Sequence, residues 1–93
     1  MSTPTAELLV QRGTTHGEFR ENSKISQKIK VIMRDTCSNY YDLQPFQQEA
    51  LDMMAHKIGR ILAGDPNHQD HWDDIAGYAK LVSDRITPPI VGT

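Results

Sequence analysis

The stretch PFQQEALDMMAHKIGRILAGDPNHQDHWDDIAGYAKLVSDRITPP, residues 45–89, decides the fold class. Phe46, Ala50, Met54, Ile58 and Ile61 recur at helical spacing, with Pro45 suited to a first turn and Asp42 placed to cap it. Gly64 followed by Asp65-Pro66-Asn67 stops that helix, because proline cannot continue it and glycine tolerates the turn conformation just past its end. A second period begins between Asn67 and Asp70. Trp72, Ile75, Ala79, Val82 and Ile86 carry it, and Thr87-Pro88-Pro89 ends it. Two helices joined this tightly lie antiparallel.

Upstream, Ile25, Ile29, Ile32 and Met33 share one stripe, which predicts a helix from Glu18 to about Arg34. Thr3-Pro4 reads as N-cap and first helical position, and a short helix from Ala6 to Arg12 is expected to stop at Gly13. Thr14-Thr15-His16-Gly17 is then a turn. No segment alternates as a strand does. The expected architecture is all-α: one domain spanning 1–93, a small bundle of about four helices of about 9, 16, 19 and 17 residues, with flexible tails at 1–3 and 88–93.

Composition narrows the function classes. Ten basic and twelve acidic side chains give a net charge of −2, without the basic excess that sequence-independent nucleic-acid binding needs. A single cysteine, Cys37, excludes an internal disulfide and a multi-cysteine zinc site and reads as an incidental thiol. No apolar run is long enough for a membrane span, and the first residues lack a secretory pattern, so a cytoplasmic protein is expected. A chain of 93 residues builds a small core, which favours a homo-oligomer.

Chemistry-bearing residues concentrate on the two main helices. Glu49, Asp52 and His56 share one face of the first, and Asp70, Asp73, Asp74, Gly77 and Asp84 crowd an arc of the second. Ordinary solvated charge has the same pattern; as a site, Glu49, Asp52, Asp70, Asp73 and Asp74 would hold Mg²⁺. His56, Lys57 and Arg60 put up to three cations on one helix, and with His16 and Lys80 they are candidates for phosphate binding. Tyr78 and Tyr40 are candidates for base stacking, whereas Trp72 belongs to the core stripe. His68 and His71 are expected to face solvent, and four histidines without a His-x-x-x-His pair give no zinc signature. Gly59 and Gly77 interrupt their helices at a cost of about 1 kcal/mol each, which points to close approach by another backbone or a ligand. No catalytic nucleophile or phosphate-binding glycine loop is present.

The segments RGTTHGEF (12–19) with Asn22, ALDMMAHKIGRILAGDPNH (50–68) and HWDDIAGYA (71–79) resemble a family of small phage and prophage proteins of unassigned function. Their general pattern is similar to the all-α MazG-like nucleotide pyrophosphohydrolases, which bind Mg²⁺ through paired acidic motifs on two helices. That similarity implies Glu49-x-x-Asp52 for one pair and Asp70-x-x-Asp73 for the other, with Glu49, Asp52 and Asp73 as catalytic residues if the protein hydrolyses. The paired glutamates of that family's first motif are absent here. Three readings follow. The first is a binder of a nucleotide or nucleotide-derived signal in a bacterial host cell, sequestering it against antiviral immunity through His16, His56, Lys57, Arg60, Tyr78 and Lys80. The second is a Mg²⁺-dependent pyrophosphohydrolase. The third is an interaction module that inhibits a host enzyme. The first ranks highest, with no nucleic-acid or membrane partner.

Overall fold

In a computed structural model, which describes residues 4–86, the chain is all-α. The helices are α1 (Pro4–His16), α2 (Phe19–Asp35), the single turn α3 (Asn39–Asp42), α4 (Pro45–Ala63) and α5 (Gln69–Arg85). The tails expected at 1–3 and 88–93, the Thr3 cap and the Thr87-Pro88-Pro89 stop lie outside the described residues. Among the described residues no helix is long and apolar enough to cross a membrane.

Two helix ends differ from the sequence reading. α1 runs through Gly13 to His16, with the Thr14 and Thr15 hydroxyls bonding back to the Gln11 carbonyl at 2.7 and 3.2 Å. Its stop is Gly17, the one glycine with positive φ (80°) among the described residues, a conformation that favours glycine. Asp42 does not cap α4. It closes α3, and Gln44 takes the cap position, its N–H donating to Gln47 Oε1 at 2.9 Å. Glu18 caps α2 by accepting the Glu21 N–H at 3.2 Å.

α4 is the central helix, with α2 along one edge and α5 along the other. α2 and α4 cross where Gly59 meets the backbone of Asn22 to Ser26, and a Cβ on Gly59 would overlap the Asn22 carbonyl oxygen. The glycine therefore has the structural reason its cost demands. On the α2 edge Asp52 accepts from Arg34 at 3.0 Å and from the buried Tyr40 hydroxyl at 3.1 Å. On the α5 edge Lys57 Nζ meets Asp74 Oδ2 at 2.8 Å. Buried residues consequently occur on both edges of α4, a pattern that a single apolar stripe does not anticipate.

The α5 stripe is also rotated from its expected position. His71 is the buried residue of its first turn, at 1% exposure, whereas Trp72 is 54% exposed. The Trp72 indole N–H donates to the Pro66 carbonyl at 2.8 Å, holding the ring against the turn rather than in the core. Asn22 and Ser26 are buried on α2, and the Ser26 hydroxyl has no hydrogen-bond partner among the described residues. The radius of gyration is 16.4 Å, against about 12 Å for a compact chain of this length.

Close packing at the α2–α4 crossing makes Gly59→Ala destabilising by about 2 kcal/mol or more, read as a lower urea midpoint. Gly77, where an added methyl group would meet nothing within 4 Å, behaves oppositely. Gly77→Ala gains about 0.5–1 kcal/mol from helix propensity alone.

Candidate functional site

Because α1 continues through Gly13 to His16, Arg12 and His16 lie one turn apart on the same face, at i and i+4. His56 and Arg60 have the same spacing on α4. With Leu9, Gly13, Gly17, and Glu18, Phe19 and Asn22 at the start of α2, these side chains line a cavity of about 390 Å³. Its walls come from three helices. Their register is set by the turn between α1 and α2, which packs on the turn between α4 and α5. There the Thr15 carbonyl oxygen accepts the Asp65 N–H at 3.0 Å and lies 2.9 Å from His71 Nε2. Asn22 Nδ2 donates to the His16 carbonyl at 3.0 Å.

The cavity is electropositive. Among the described residues neither Arg12 nor Arg60 has a carboxylate within ion-pair distance. Glu18 lines the wall, but its carboxylate caps its own helix. The start of α2 adds the positive end of a helix dipole. Burial and the neighbouring Arg12 guanidinium push the pKa of Arg60 down, against the opposing pull of Asp74 and Tyr78. His56 is lowered by burial and then by Arg60, Lys57 and Lys30. His16 falls to about 4, through burial first and then through Arg60, His71, Lys57 and His68. Each shift disfavours further positive charge in a place already short of negative charge.

His16 also belongs to a cluster of three imidazoles. Ring centroids are 4.8 Å apart for His16 and His71, 4.7 Å for His68 and His71, and 6.1 Å for His16 and His68. His71 Nε2 donates toward the Thr15 carbonyl and lies 3.3 Å from His16 Nδ1. His16 Nδ1 also lies 3.1 Å from the Thr15 hydroxyl oxygen, so the ring sits between a hydroxyl and a second imidazole. The cluster corrects the expectation that His68 and His71 face solvent: His71 is a buried tie between the end of α1 and the start of α5, and His68 is half-buried beside it.

The structure thus brings together three of the six ligand candidates, His16, His56 and Arg60. Lys57 is buried against Asp74. Lys80 pairs with Asp84 at 2.7 Å along α5, away from the cavity. Tyr78 lies between α4 and α5, and Tyr40 is buried and bound to Asp52. The proposed Mg²⁺ ligands are not gathered. Glu49 is exposed on a groove with Arg85, Asp52 faces α2, Asp74 holds Lys57, Asp70 lies 3.7 Å from His68, and Asp73 is exposed. Among the described residues no group of three or more His, Cys, Asp or Glu is placed to hold a metal ion. Asp52 and the α5 carboxylates sit on opposite edges of α4, which no spacing along one helix reveals. Cys37 is exposed. Arg12 and Phe19 were missed as site residues; the i, i+4 relation of Arg12 to His16 was the available signal, hidden by ending α1 at Gly13.

The chain belongs to the family described as Domain of unknown function (DUF6378), which matches residues 3–86. No curated protein and no solved structure matches it.

The lowered pKa of His16 has a definite consequence for stability. Because the folded value of about 4 lies below the ordinary 6.5, the unfolded chain binds more protons between those values. The stabilisation from keeping His16 neutral is present above pH 6.5 and is lost as pH falls toward 4. His16→Asn, which keeps a polar amide near the position of Nδ1 and removes the titrating ring, flattens the dependence of Tm on pH in that window relative to the unsubstituted protein.

Proposed function

We propose that this DUF6378 protein binds a phosphate-bearing small molecule of the nucleotide class in the cavity between α1, α2 and α4, and holds it rather than cleaving it. The observation that carries this reading is the convergence of Arg12, Arg60, His16 and His56 on one concave surface, with neither arginine in an ion pair among the described residues. Guanidinium groups suit phosphate oxygens because they donate in a planar fork, and two imidazoles add donors whose charge adapts to the ligand. A cavity of about 390 Å³ falls in the range of small-molecule sites. The exposed Phe19 ring at its wall offers a stacking surface for a base.

Holding is favoured over hydrolysis by what the carboxylates do. Asp52 and Asp74 are engaged by Arg34, Tyr40 and Lys57. Among the described residues the one carboxylate on the cavity wall, that of Glu18, caps α2. A protein that binds stoichiometrically in this way can sequester a nucleotide-derived signal, the role that fits a small phage-type protein acting against host immunity.

Calorimetric titration in EDTA with nucleoside phosphates, ADP-ribose and cyclic dinucleotides tests the reading. At least one binds, and mass spectrometry recovers it intact after denaturation. Affinity rises as pH falls from 8 toward 6, because the anion favours the protonated imidazoles and binding takes up protons. Arg60→Gln and Arg12→Gln each lower affinity by about 10- to 100-fold while leaving the unliganded protein at least as stable, since each removes one of two mutually repelling cations. Absence of binding across the panel, unchanged affinity in Arg60→Gln, or recovery of cleaved ligand overturns the proposal.

A further inference from the structure

The face of the helix layer opposite the cavity carries a separate inference. With α2 and α5 on its two edges, α4 has two remaining faces. His56 and Arg60 lie on the one that carries the cavity. At about 100° per residue, Leu51, Met54, Ile58 and Leu62 lie on the other. The same spacing puts Trp72, Ala76, Ala79 and Ile86 on the matching side of α5. A groove of about 540 Å³ joins the two helices there, lined by Leu51 and Met54 from α4 and by Ala79, Ser83 and Ile86 from α5 and its C-terminal cap. Ile25 and Ile32 continue the surface onto α2, on the side away from Phe19 and Lys30. No charged residue falls within the strip on α4 and α5. Its large side chains are open to solvent: Leu62 is 67% exposed, Ile32 62%, Trp72 54% and Ile86 50%.

We infer that this face is the interface of a two-fold dimer, occupied by a second copy of this chain. Three observations select that occupant. The chain's own apolar core among the described residues is Tyr40, Ala50, Ala55 and Ile61, and its largest fully buried side chains are the polar His71 and Ser26. A single layer of helices with that interior needs another layer across it. The available area is of the right size. The four open side chains offer on the order of 500 Å², and the half-buried Ile25, Leu51, Met54 and Ile58 extend it toward the ~800 Å² per partner of a stable interface. On α4 and α5 the strip is also uncharged, so a charged partner surface would bury unpaired ions against it, whereas the strip itself is a matching surface. On α2 the row of Ile25 and Ile32 includes Glu21 and Lys28, charges of opposite sign that a second copy of the same row also carries. A two-fold axis lying in the interface plane and perpendicular to the helices sets α2, α4 and α5 of one copy over the same helices of the other. Every facing pair is then antiparallel, and Ile25 and Ile32 of α2 lie within the interface. The two cavities remain on the outer faces, so the inference stands or falls independently of the ligand reading.

Sedimentation velocity across micromolar concentrations, with circular dichroism and Trp72 emission on the same samples, tests it. The full chain sediments at twice 10.5 kDa. Emission of Trp72, the single tryptophan, shifts to the red on dilution through dissociation. Leu62→Glu raises the dimer dissociation constant about 100-fold or more, since each substitution enters the interface twice, with helicity retained because Leu62 is open in the single chain. Ile32→Lys acts in the same direction from a different helix. Leu81→Glu, on the opposite side of α5, leaves the dimer intact. A wild-type chain that stays at 10.5 kDa overturns the inference, including one whose face captures an apolar peptide or a lipid vesicle instead. So does any assembly that Leu62→Glu leaves unchanged in mass and emission while Leu81→Glu breaks it.

Discussion

One carbonyl oxygen fixes the arrangement of the helices. Thr15 O accepts the Asp65 N–H at 3.0 Å and the His71 ring N–H at 2.9 Å, fastening the turn between α1 and α2 to the turn between α4 and α5. The contact is backbone against backbone. Gly17 lies on Ala63 and Gly64 lies on Thr15 to Gly17, with no room for a Cβ at either glycine. Because buried carbonyl and imidazole groups are costly to leave unpaired, this junction sets the starting direction of α2 and α5 together. The register that places Arg12 and His16 opposite His56 and Arg60 follows from it.

Polar burial is the dominant theme of the interior. Lys57 on α4 is held by Asp74 on α5, and the Lys57 hydrogen bond keeps the Asp74 carboxyl below its ordinary range. Such a pair contributes little net stability, but removing one partner strands the other. It therefore specifies the pairing of α4 with α5 more than it strengthens it. Asp52 does the same on the other edge, through Arg34 and Tyr40. The apolar side chains that would normally hold helices together lie outward.

The helices were legible in the sequence because their stops are chemically strong. Gly64 with Pro66 ended α4 where expected, and Pro45 marked its first turn. Gly13 misled because a mid-helix glycine and a terminal one look alike without φ; the residue that must turn is Gly17. The rotation of α5 was not legible, since an apolar period treats His71 as polar and Trp72 as core. The indole N–H, satisfied by Pro66, lets the ring stay outside. On the site, His16, His56 and Arg60 were readable as cations of the right type. Lys57 was not separable from them, because only the fold shows that it points to Asp74. The acidic positions read as a metal set are dispersed by the edges of α4.

Among the described residues, hydrogen bonds from Thr15 and His16 tie the C-terminal end of α1 to the other helices. Arg12 lies one turn before that end and is exposed, so its place across the cavity from Arg60 is set by the direction in which α1 leaves the Thr15 junction. An anion bound between Arg12 and Arg60 would bridge α1 to α4 one turn beyond the junction, a second tie made of charge where the first is made of backbone. Any strain on that bridge passes through a single carbonyl oxygen, so substitutions at the junction would change the ligand's grip without touching the ligand.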